Sequence, residues 1–476
     1  MKRVVCKSLL LMVLLLIASA GWADLQAQRQ VTILNANQYE EEVIEGEIVR
    51  RLYGEVEIQT DRMLMIADSA YHFAGRNLIH AFNIQIETDD ELIWADTLYY
   101  DTQIDYSRLR GRVIIETENN RLFSEEIDYD QIFNVVLFHS PVRFEDEDGT
   151  LLAETGYYFR ETDIAFFRND VQLSDPTRYM EADSLFMNRS EDFYQLFDNV
   201  YAANHEERVT FTGEYLEADS SGYRLLDGDA WMMKVNESGR DTTHLDAATI
   251  LVQEQDSVST IDAYRNVRIW SPSFSAIADT LHYRDDTEEF RLLSGPIAWQ
   301  NRIQLTGPYI RALLEDEEIR FLESYTRPII VMEDSVTGRL NQMTGDTLRA
   351  WFDQGEIERI RVFDNSEVIF HRKNENEEPD GLMEMMATGP SSLTFFEGEP
   401  DEFIAHRNPD GSYLPEHPDN IDRRLPGFQW NPEQRPQQPS VRQPNMPAIT
   451  TEPLFEFPPR YRAWLREQEE NGTSTQ

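Results

Sequence analysis

The sequence contains a single cysteine, Cys6, in 476 residues. One thiol per chain excludes an intrachain disulfide framework and a thiolate metal site. Basic residues are also scarce, since 43 Lys and Arg stand against 87 Asp and Glu, for a formal net charge of −44. Binding to nucleic-acid phosphates or to an anionic membrane surface depends on Lys and Arg. The charge balance therefore argues against a nucleic-acid-binding protein and against docking on such a membrane.

Long hydrophobic runs are missing from the rest of the chain after the N-terminus. No later stretch approaches the roughly 20 apolar residues of a membrane-spanning helix. Residues 1–20 combine a basic start (Lys2, Arg3 and Lys7), an apolar run at 8–18 and a small-residue pattern at Ala18–Ala20. This arrangement is typical of a secretory signal peptide. We therefore predict an exported, soluble protein from which residues 1–20 are removed.

Two short phrases recur along the chain with one period. The first, A-D-T-L in its clearest form, starts at positions 67, 95, 124, 153 and 182, in steps of 28, 29, 29 and 29 residues. The second has apolar residues at its first and third positions and starts at 56, 84, 113, 142 and 171, with the same steps. After residue 200 the register loosens, and extra residues fall in polar stretches. Two markers with one period indicate a repeat architecture.

Each repeat is strand-like, because it is rich in β-branched and aromatic residues that alternate in character. Alternation places Val113 and Ile115 on one face and Ile114 on the other. Turn signals such as R-N-D-V at 168–171 and F-D-N-V at 197–200 are interpreted as strand boundaries. A repeat of about 29 residues then holds two strands with their connections. We predict an all-β fold in which each repeat covers the apolar face of its neighbour.

The A-D-T-L phrase is explained as scaffold. We expect Ala95 and Leu98 to point into a narrow interior, while Asp96 and Tyr100 serve turns and the outer face. Acidic runs at 145–149 and 315–318 could hold Ca²⁺ through oxygen ligands, but the Gly-rich nonapeptides of calcium-binding β-helices are missing. We predict no metal site.

Motifs of catalysis are also missing. The nine histidines are scattered, and there is no H-E-x-x-H, no G-x-S-x-G and no phosphate-binding glycine loop. We predict that the protein is not an enzyme and has no cofactor. A polysaccharide-acting β-helix stays open as a minor alternative, because Asp96, Asp183 and Asp279 recur in register. They recur because the repeat does, so their alignment is not evidence for catalysis.

The C-terminal region differs in composition, with 12 of the 21 prolines between residues 408 and 459. Proline lacks the donor that a sheet ladder needs. Residues 426–476 are therefore predicted to form an extended strap or a disordered tail, with a short helix at Pro458–Glu470 that starts at proline.

The order of these phrases resembles the OstA-like family, which includes LptA-like proteins of lipopolysaccharide transport in Gram-negative envelopes. The resemblance covers roughly residues 30–435 and is carried by these segments: Gly54–Ile58, Ala67–Tyr71, Ala95–Tyr99, Gly111–Ile115 and Ser124–Tyr129. The later segments at 345–372 and 425–436 resemble long family members of the Bacteroidetes type. Outer-membrane members carry a C-terminal barrel, and no segment here has the length or alternation for one. We divide the chain into regular repeats at 30–225, irregular repeats at 226–425 and the tail.

The resemblance implies a half-open antiparallel β-jellyroll, shaped like a slit tube, that holds acyl chains of lipopolysaccharide in an apolar groove. It also implies a periplasmic location, lipid A as ligand, and edge-strand pairing with related jellyrolls or with further copies of the chain. At about 0.8 kcal/mol per buried CH₂, a chain of about 14 carbons gains on the order of 10 kcal/mol. The residues predicted to line the groove are Val56, Ile58, Ile84, Ile86, Leu98, Val113, Ile115, Val142, Phe144, Val171, Leu173 and Leu185.

The same residues fit a second hypothesis. A structural or adhesive envelope protein with a closed core needs the same inward apolar face. At the level of the sequence, the groove and the closed core are therefore both open.

Overall fold

The computed structural model describes residues 31–44, 46–147, 149–236, 238–315, 318–450 and 453–473. The predicted signal peptide lies outside these residues. Strands make up 63% and helices 5% of the residues that the structure describes, and the strand pairs are antiparallel, so the prediction of an all-β, jellyroll-like fold is confirmed. The chain divides into two compact units, residues 1–168 with 449–476 and residues 169–448. Each is described by itself.

Unit 1 contains twelve strands, a helix that we call α2, and the first five residues of an 11-residue strand that continues into unit 2. These are β1 (Thr32–Asn35), β2 (Gln38–Ile44), β3 (Glu47–Gln59), β4 (Leu64–Phe73), β5 (Leu78–Glu87), β6 (Leu92–Asp101), β7 (Tyr106–Glu116), β8 (Arg121–Asp130), β9 (Val135–Phe138), β10 (Val142–Glu145), β11 (Thr150–Ala153), β12 (Thr155–Phe159), β13 (Ile164–Ser174) and α2 (Pro459–Thr473).

Unit 2 continues the meander. Its strands are β14 (Arg178–Asn188), β15 (Phe193–Asn204), β16 (Val209–Ala218), β17 (Arg224–Val235), β18 (Thr242–Gln255), β19 (Val258–Trp270), β20 (Ser275–Arg284), β21 (Glu289–Leu293), β22 (Ile297–Gln300), β23 (Ile303–Thr306), β24 (Tyr309–Glu315), β25 (Glu318–Tyr325), β26 (Ile329–Glu333), β27 (Leu340–Thr344), β28 (Thr347–Asp353), β29 (Glu356–Phe363), β30 (Ser366–Lys373), β31 (Pro379–Ala387), β32 (Ser391–Phe396), β33 (Glu399–Ala405) and β34 (Asp410–Leu414). A short helix, α1 (Pro418–Ile421), and two 3₁₀ turns, Arg189–Glu191 and Pro432–Gln434, complete it.

Most long strands bend near their middle at a register shift, so that their two halves belong to two layers. Layer B holds the halves with the apolar-x-apolar phrase and the start of the A-D-T-L phrase, and layer A holds the other halves. In unit 1, layer A consists of residues 47–53, 69–73, 78–82, 97–101, 106–110, 126–130, 135–138, 155–159 and 164–168. Layer B consists of residues 56–59, 64–67, 84–87, 92–95, 113–116, 121–124, 142–145 and 150–153.

The corners between the layers lie inside the strands, where the sequence interpretation put strand ends. R-N-D-V falls within β13 and F-D-N-V within β15. Their central residues have left-handed backbone: Asn169 and Asp170 at φ 61° and 52°, Asp198 and Asn199 at 59° and 54°. Asn and Asp tolerate this conformation better than other residues with a side chain. The signals therefore mark bends in strands of ten or more residues, not their ends.

The recurring aspartates stabilise these corners. Four of the carboxylates accept a hydrogen bond or ion pair from a residue with left-handed backbone 15 to 19 positions later in the chain: Asn83 Nδ2 to Asp68 at 2.7 Å, Arg112 Nη2 to Asp96 at 2.6 Å, Asn199 Nδ2 to Asp183 at 3.1 Å and Asn365 Nδ2 to Asp346 at 2.7 Å. Asp279 differs, since its bonded partner is the hydroxyl of Thr280 at 3.3 Å. Asp96 and Asp183 thus have a structural role.

The other residues of the A-D-T-L phrase lie on the faces that the sequence predicted, except for Tyr100. Ala95 and Leu98 are buried. Tyr100, expected on the outer face, is 1% exposed and points inward, where its hydroxyl donates to Asp105 at 2.7 Å. Because side chains alternate along β6, Leu98 and Tyr100 share the inner face, and Tyr99 is the outward residue.

The tail forms an extended strap and a helix on the outer face of layer B. In unit 2, buried side chains of the sheet bind strap backbone, with Gln342 and Gln304 donating to the carbonyls of Arg423 and Gln429 at 3.2 and 3.0 Å. Glu181 accepts from the Asn445 and Met446 amides. In unit 1, helix α2 buries Tyr461 against Trp94, Ile114 and Phe123. The tail is thus an extended strap that is followed by the helix α2 at Pro459–Thr473.

Candidate lipid-binding interior

The predicted groove residues lie between the two layers. Ten of the twelve are at most 9% exposed, among them Val56, Leu98 and Val113 at 0%. Phe144 and Leu173 are half-buried. The interior therefore contains the apolar face that the alternation predicted, and Ile114, between Val113 and Ile115, points to the opposite face and packs on α2.

Cross-strand pairing brings the two phrases together in layer B. Val56 lies opposite Ala67, Ile84 opposite Ala95, and Val142 opposite both Ser124 and Ala153. Each of these large apolar residues thus has a small residue as its cross-strand neighbour, so that large and small side chains alternate across the inner face. This explains why the two phrases share one period.

The interior of unit 2 is closely packed where Ala298, Leu305 and Ile330 of layer B meet Leu322 and Ala350 of layer A. The space enclosed there is about 10 Å³, about the least that can hold one water molecule. Unit 2 has another cavity of about 450 Å³, but it is lined by polar residues and by none of the twelve predicted ones.

Unit 1 contains a cavity of about 710 Å³ at the seam where the turns of the two layers meet. Ile86, a predicted residue, lines it together with Met63, Leu64, Ile93 and Leu109. The polar part of its wall includes Tyr129, Tyr158 and Arg160. The volume falls in the range of about 300–1,000 Å³ that is usual for small-molecule sites. Most of the lining residues are polar, and the five apolar ones give the cavity a mixed lining that suits an amphipathic ligand.

Two ion pairs cross this seam. Arg160 Nη2 of layer A lies 2.5 Å from Glu91 Oε1 of layer B, and the Glu91 side chain is only 8% exposed. Arg62 Nη1 lies 3.3 Å from the fully buried Asp105. Burial raises the pKa of the Glu91 carboxyl, and the charge of Arg160 opposes this shift. Since a buried charge is costly once its partner is removed, these pairs hold the layers together at the mouth of the cavity.

Sequence reasoning missed these seam residues. Glu91, Asp105 and Arg160 lie in turns, outside both repeated phrases, so the period carries no information about them. The only feature of the sequence that could indicate them is their place directly before or after a strand. Among the described residues there is no cluster of His, Cys, Asp and Glu suited to a metal ion. In the same part of the chain, no helix is long and apolar enough to cross a membrane.

Comparison with known proteins agrees with this architecture. Residues 28–183 match the family model described as OstA-like protein. A comparison with curated proteins finds no match. The matched segment contains the layers of unit 1, the seam cavity and its two ion pairs. Over residues 28–183, about a third of its length, the chain is thus similar to the OstA-like protein family.

Proposed function

We propose that the chain binds an acyl chain of lipopolysaccharide between the layers of unit 1 and acts in periplasmic lipopolysaccharide transport or outer-membrane assembly. The observation that carries this proposal is the seam cavity of about 710 Å³, lined in part by apolar residues, in a segment that matches the OstA-like family. The ligand is held without covalent chemistry. The export signal and the periplasmic location are parts of the same proposal.

The seam supplies a physical route for the ligand. An acyl chain enters sideways if the turns of the two layers separate, because the inner face is mainly apolar. Each CH₂ that leaves water contributes about 0.8 kcal/mol. Separation of the turns breaks the Arg160–Glu91 and Arg62–Asp105 ion pairs. In the bound state we expect the two arginines to face the phosphorylated headgroup at the rim.

Lipid copurification tests the proposal. The chain is expressed in a Gram-negative periplasm, purified without detergent and extracted for mass spectrometry. Leu64→Trp adds bulk to the cavity without adding charge. Leu137→Trp makes the same change on the half-buried outer face of layer A and is the matched control. We expect lipid A species at near-stoichiometric amount in wild type and Leu137→Trp, and their loss from folded Leu64→Trp.

A folded, lipid-free wild type that also fails to bind added lipopolysaccharide overturns the proposal. That result favours the second candidate, a structural envelope protein with a closed core. The specific observation in its favour is the packed interior of unit 2, where about 10 Å³ is free.

The N-terminal edge of the sheet supports a partner of the same fold. Strand β2 pairs with β3, and its seven residues are exposed, with Tyr39 at 51% and Val43 at 66%. An open edge with apolar side chains is a template for a further strand. We propose that related jellyrolls, or another copy of this chain, add there and extend the interior.

A further inference from the structure

A compact group of arginines and aromatic rings lies on the outer face of layer A in unit 2. It is built on β25, β28 and β29, which are neighbours in the sheet. Inward residues such as Leu322, Ala350 and Ile360 are buried, so the alternating residues face outward. Three cross-strand rows result: Phe321–Trp351–Arg359, Glu323–Arg349–Arg361 and Tyr325–Thr347–Phe363.

The guanidinium groups in these rows lie over aromatic rings. The Cζ atom of Arg359 is 4.4 Å from the Trp351 ring centroid. Arg349 and Arg361 share one ring, with their Cζ atoms 4.8 and 4.9 Å from the Phe363 centroid. The rings are half-buried and Arg359 is exposed. Stacking fixes the planes of the three guanidinium groups while their edges stay open to solvent.

The carboxylates on this face leave two of these arginines unpaired. The Glu323 carboxylate binds Arg349 at 2.5 Å, accepts a hydrogen bond from the Tyr325 hydroxyl, and lies 3.7 Å from Arg311. Its oxygens are therefore already engaged by three partners. Within the described residues, neither Arg359 nor Arg361 has an ion pair. In addition, Arg349 and Arg361 lie directly opposite each other, and like charges in that position are destabilising. Such a placement is unexpected in a chain with 44 more acidic than basic residues.

We propose that this arginine–aromatic patch, Arg349, Arg359, Arg361, Trp351 and Phe363, is a binding site for a phosphate-bearing ligand. A phosphate group offers up to two negative charges and three oxygens, and guanidinium forks bind it in bidentate fashion. It therefore offsets the repulsion between Arg349 and Arg361. A carboxylate of an acidic peptide carries one charge and satisfies one fork, so it suits the patch less well. The site lies on the outer face and is independent of the interior cavity.

Binding assays on the full chain test this proposal. The soluble probes are inorganic phosphate, glucose 6-phosphate, glucose and a poly-glutamate peptide, measured by titration calorimetry. The membrane probe is phosphatidylcholine vesicles with and without phosphatidic acid, measured by co-flotation. The variants are Arg361→Gln and Arg359→Gln. The matched control is Arg168→Gln in unit 1, which removes an exposed arginine whose Cζ lies 4.7 Å from the Phe166 centroid.

We expect glucose 6-phosphate or phosphatidic acid vesicles to bind, and glucose and plain phosphatidylcholine not to bind. Each patch variant weakens binding about tenfold, the equivalent of one charged hydrogen bond, whereas Arg168→Gln leaves it unchanged. Binding of the sugar phosphate alone points to a soluble ligand, and binding of the vesicles to a membrane headgroup. Urea midpoints near the wild-type value show that the variants fold.

Three results overturn the proposal. The first is that no phosphate-bearing probe binds. The second is that Arg359→Gln and Arg361→Gln bind like Arg168→Gln. The third is that poly-glutamate binds more tightly than every phosphate probe, which assigns the patch to an acidic protein partner.

Discussion

At the scale of single residues, the corner between the layers explains why an aspartate recurs in several of the repeats. At Gly111 the backbone has φ 69°, and a Cβ atom there would lie 2.6 Å from Asp96 Oδ2. Asp96 cannot move freely, because Arg112 holds both its oxygens at 2.6–3.1 Å. Glycine is thus needed both for its conformation and for the close approach of the carboxylate.

Substitution of Gly111 by alanine tests this explanation. Left-handed backbone costs a non-glycine residue roughly 1–2 kcal/mol, and displacement of the partly exposed ion pair adds up to about 1 kcal/mol. We expect Gly111→Ala to lower the free energy of unfolding by about 2 kcal/mol in urea titrations. Gly295→Ala is the control, since Gly295 has φ 77° but free space around its Cβ position. Equal losses in the two variants would show that the Asp96 contact contributes nothing.

A buried histidine makes stability depend on pH. His371 is 6% exposed, and in the described structure neither ring nitrogen has a hydrogen-bond partner. Burial lowers its pKa below the ordinary 6.5, and nearby Arg339 and Arg424 lower it further, while Glu416 and Asp334 act in the opposite direction. Below pH 6.5 the unfolded chain therefore takes up a proton that the folded chain resists. Stability is lost as pH falls from the unfolded pKa towards the lower folded one.

We expect the urea midpoint of the wild type to decrease as the pH is lowered from about 7.5 to about 5. The midpoint of His371→Gln should decrease less over the same interval, because the glutamine cannot titrate. His205→Gln, which changes a solvent-exposed histidine, serves as the control. Identical pH curves for wild type and His371→Gln would assign the acid sensitivity elsewhere. His72 and His244, whose pKa values burial also lowers, are the next residues to replace.

At the scale of elements, helix α2 covers the outward-facing side chains Trp94, Ile114 and Phe123 of layer B. Their neighbours along the same strands face the interior. Tyr461 is 1% exposed, its ring centroid lies 4.9 Å from that of Trp94, and its hydroxyl donates to Glu116 at 3.1 Å. We expect Tyr461→Ala to lower the free energy of unfolding by about 3 kcal/mol, within the range for loss of a buried aromatic ring. Tryptophan emission should shift to the red, because Trp94 becomes exposed. Tyr461→Phe keeps the ring and should lose only about 1 kcal/mol; an unchanged emission spectrum in Tyr461→Ala would mean that α2 does not shield Trp94.

The strands show which parts of the fold were predictable. Val113, Ile114 and Ile115 alternate as predicted, because period-2 alternation depends only on local geometry. The function of R-N-D-V was misread, because left-handed Asn and Asp residues occur both in turns and in corners, and only the pairing partner distinguishes them. The seam pair Arg160–Glu91 joins turns about 70 residues apart, and no local pattern encodes it. The arginine–aromatic patch depends on cross-strand register among β25, β28 and β29, where insertions hide the period.

At the scale of the whole molecule, net charge opposes folding. With 87 acidic and 43 basic residues, the ion pairs neutralise at most half of the carboxylates. The remaining negative charges repel one another more strongly in the folded state, where they are closer together. Salt weakens both this repulsion and the ion pairs, so the sign of the salt effect shows which of the two is larger.

Because unpaired carboxylates outnumber the ion pairs that can form, we expect salt to stabilise the chain. The screening length falls from about 30 Å at 0.01 M to about 8 Å at 0.15 M ionic strength, so the repulsion between distant surface charges is largely removed over this interval. The thermal midpoint should rise by a few degrees with sodium chloride, and equally with potassium chloride, because screening does not depend on which monovalent cation supplies it. Sucrose at equal osmolality is the control for general solute effects. A midpoint that falls with salt would mean that paired charges, such as those at the seam, contribute more to stability than the excess of acidic residues costs.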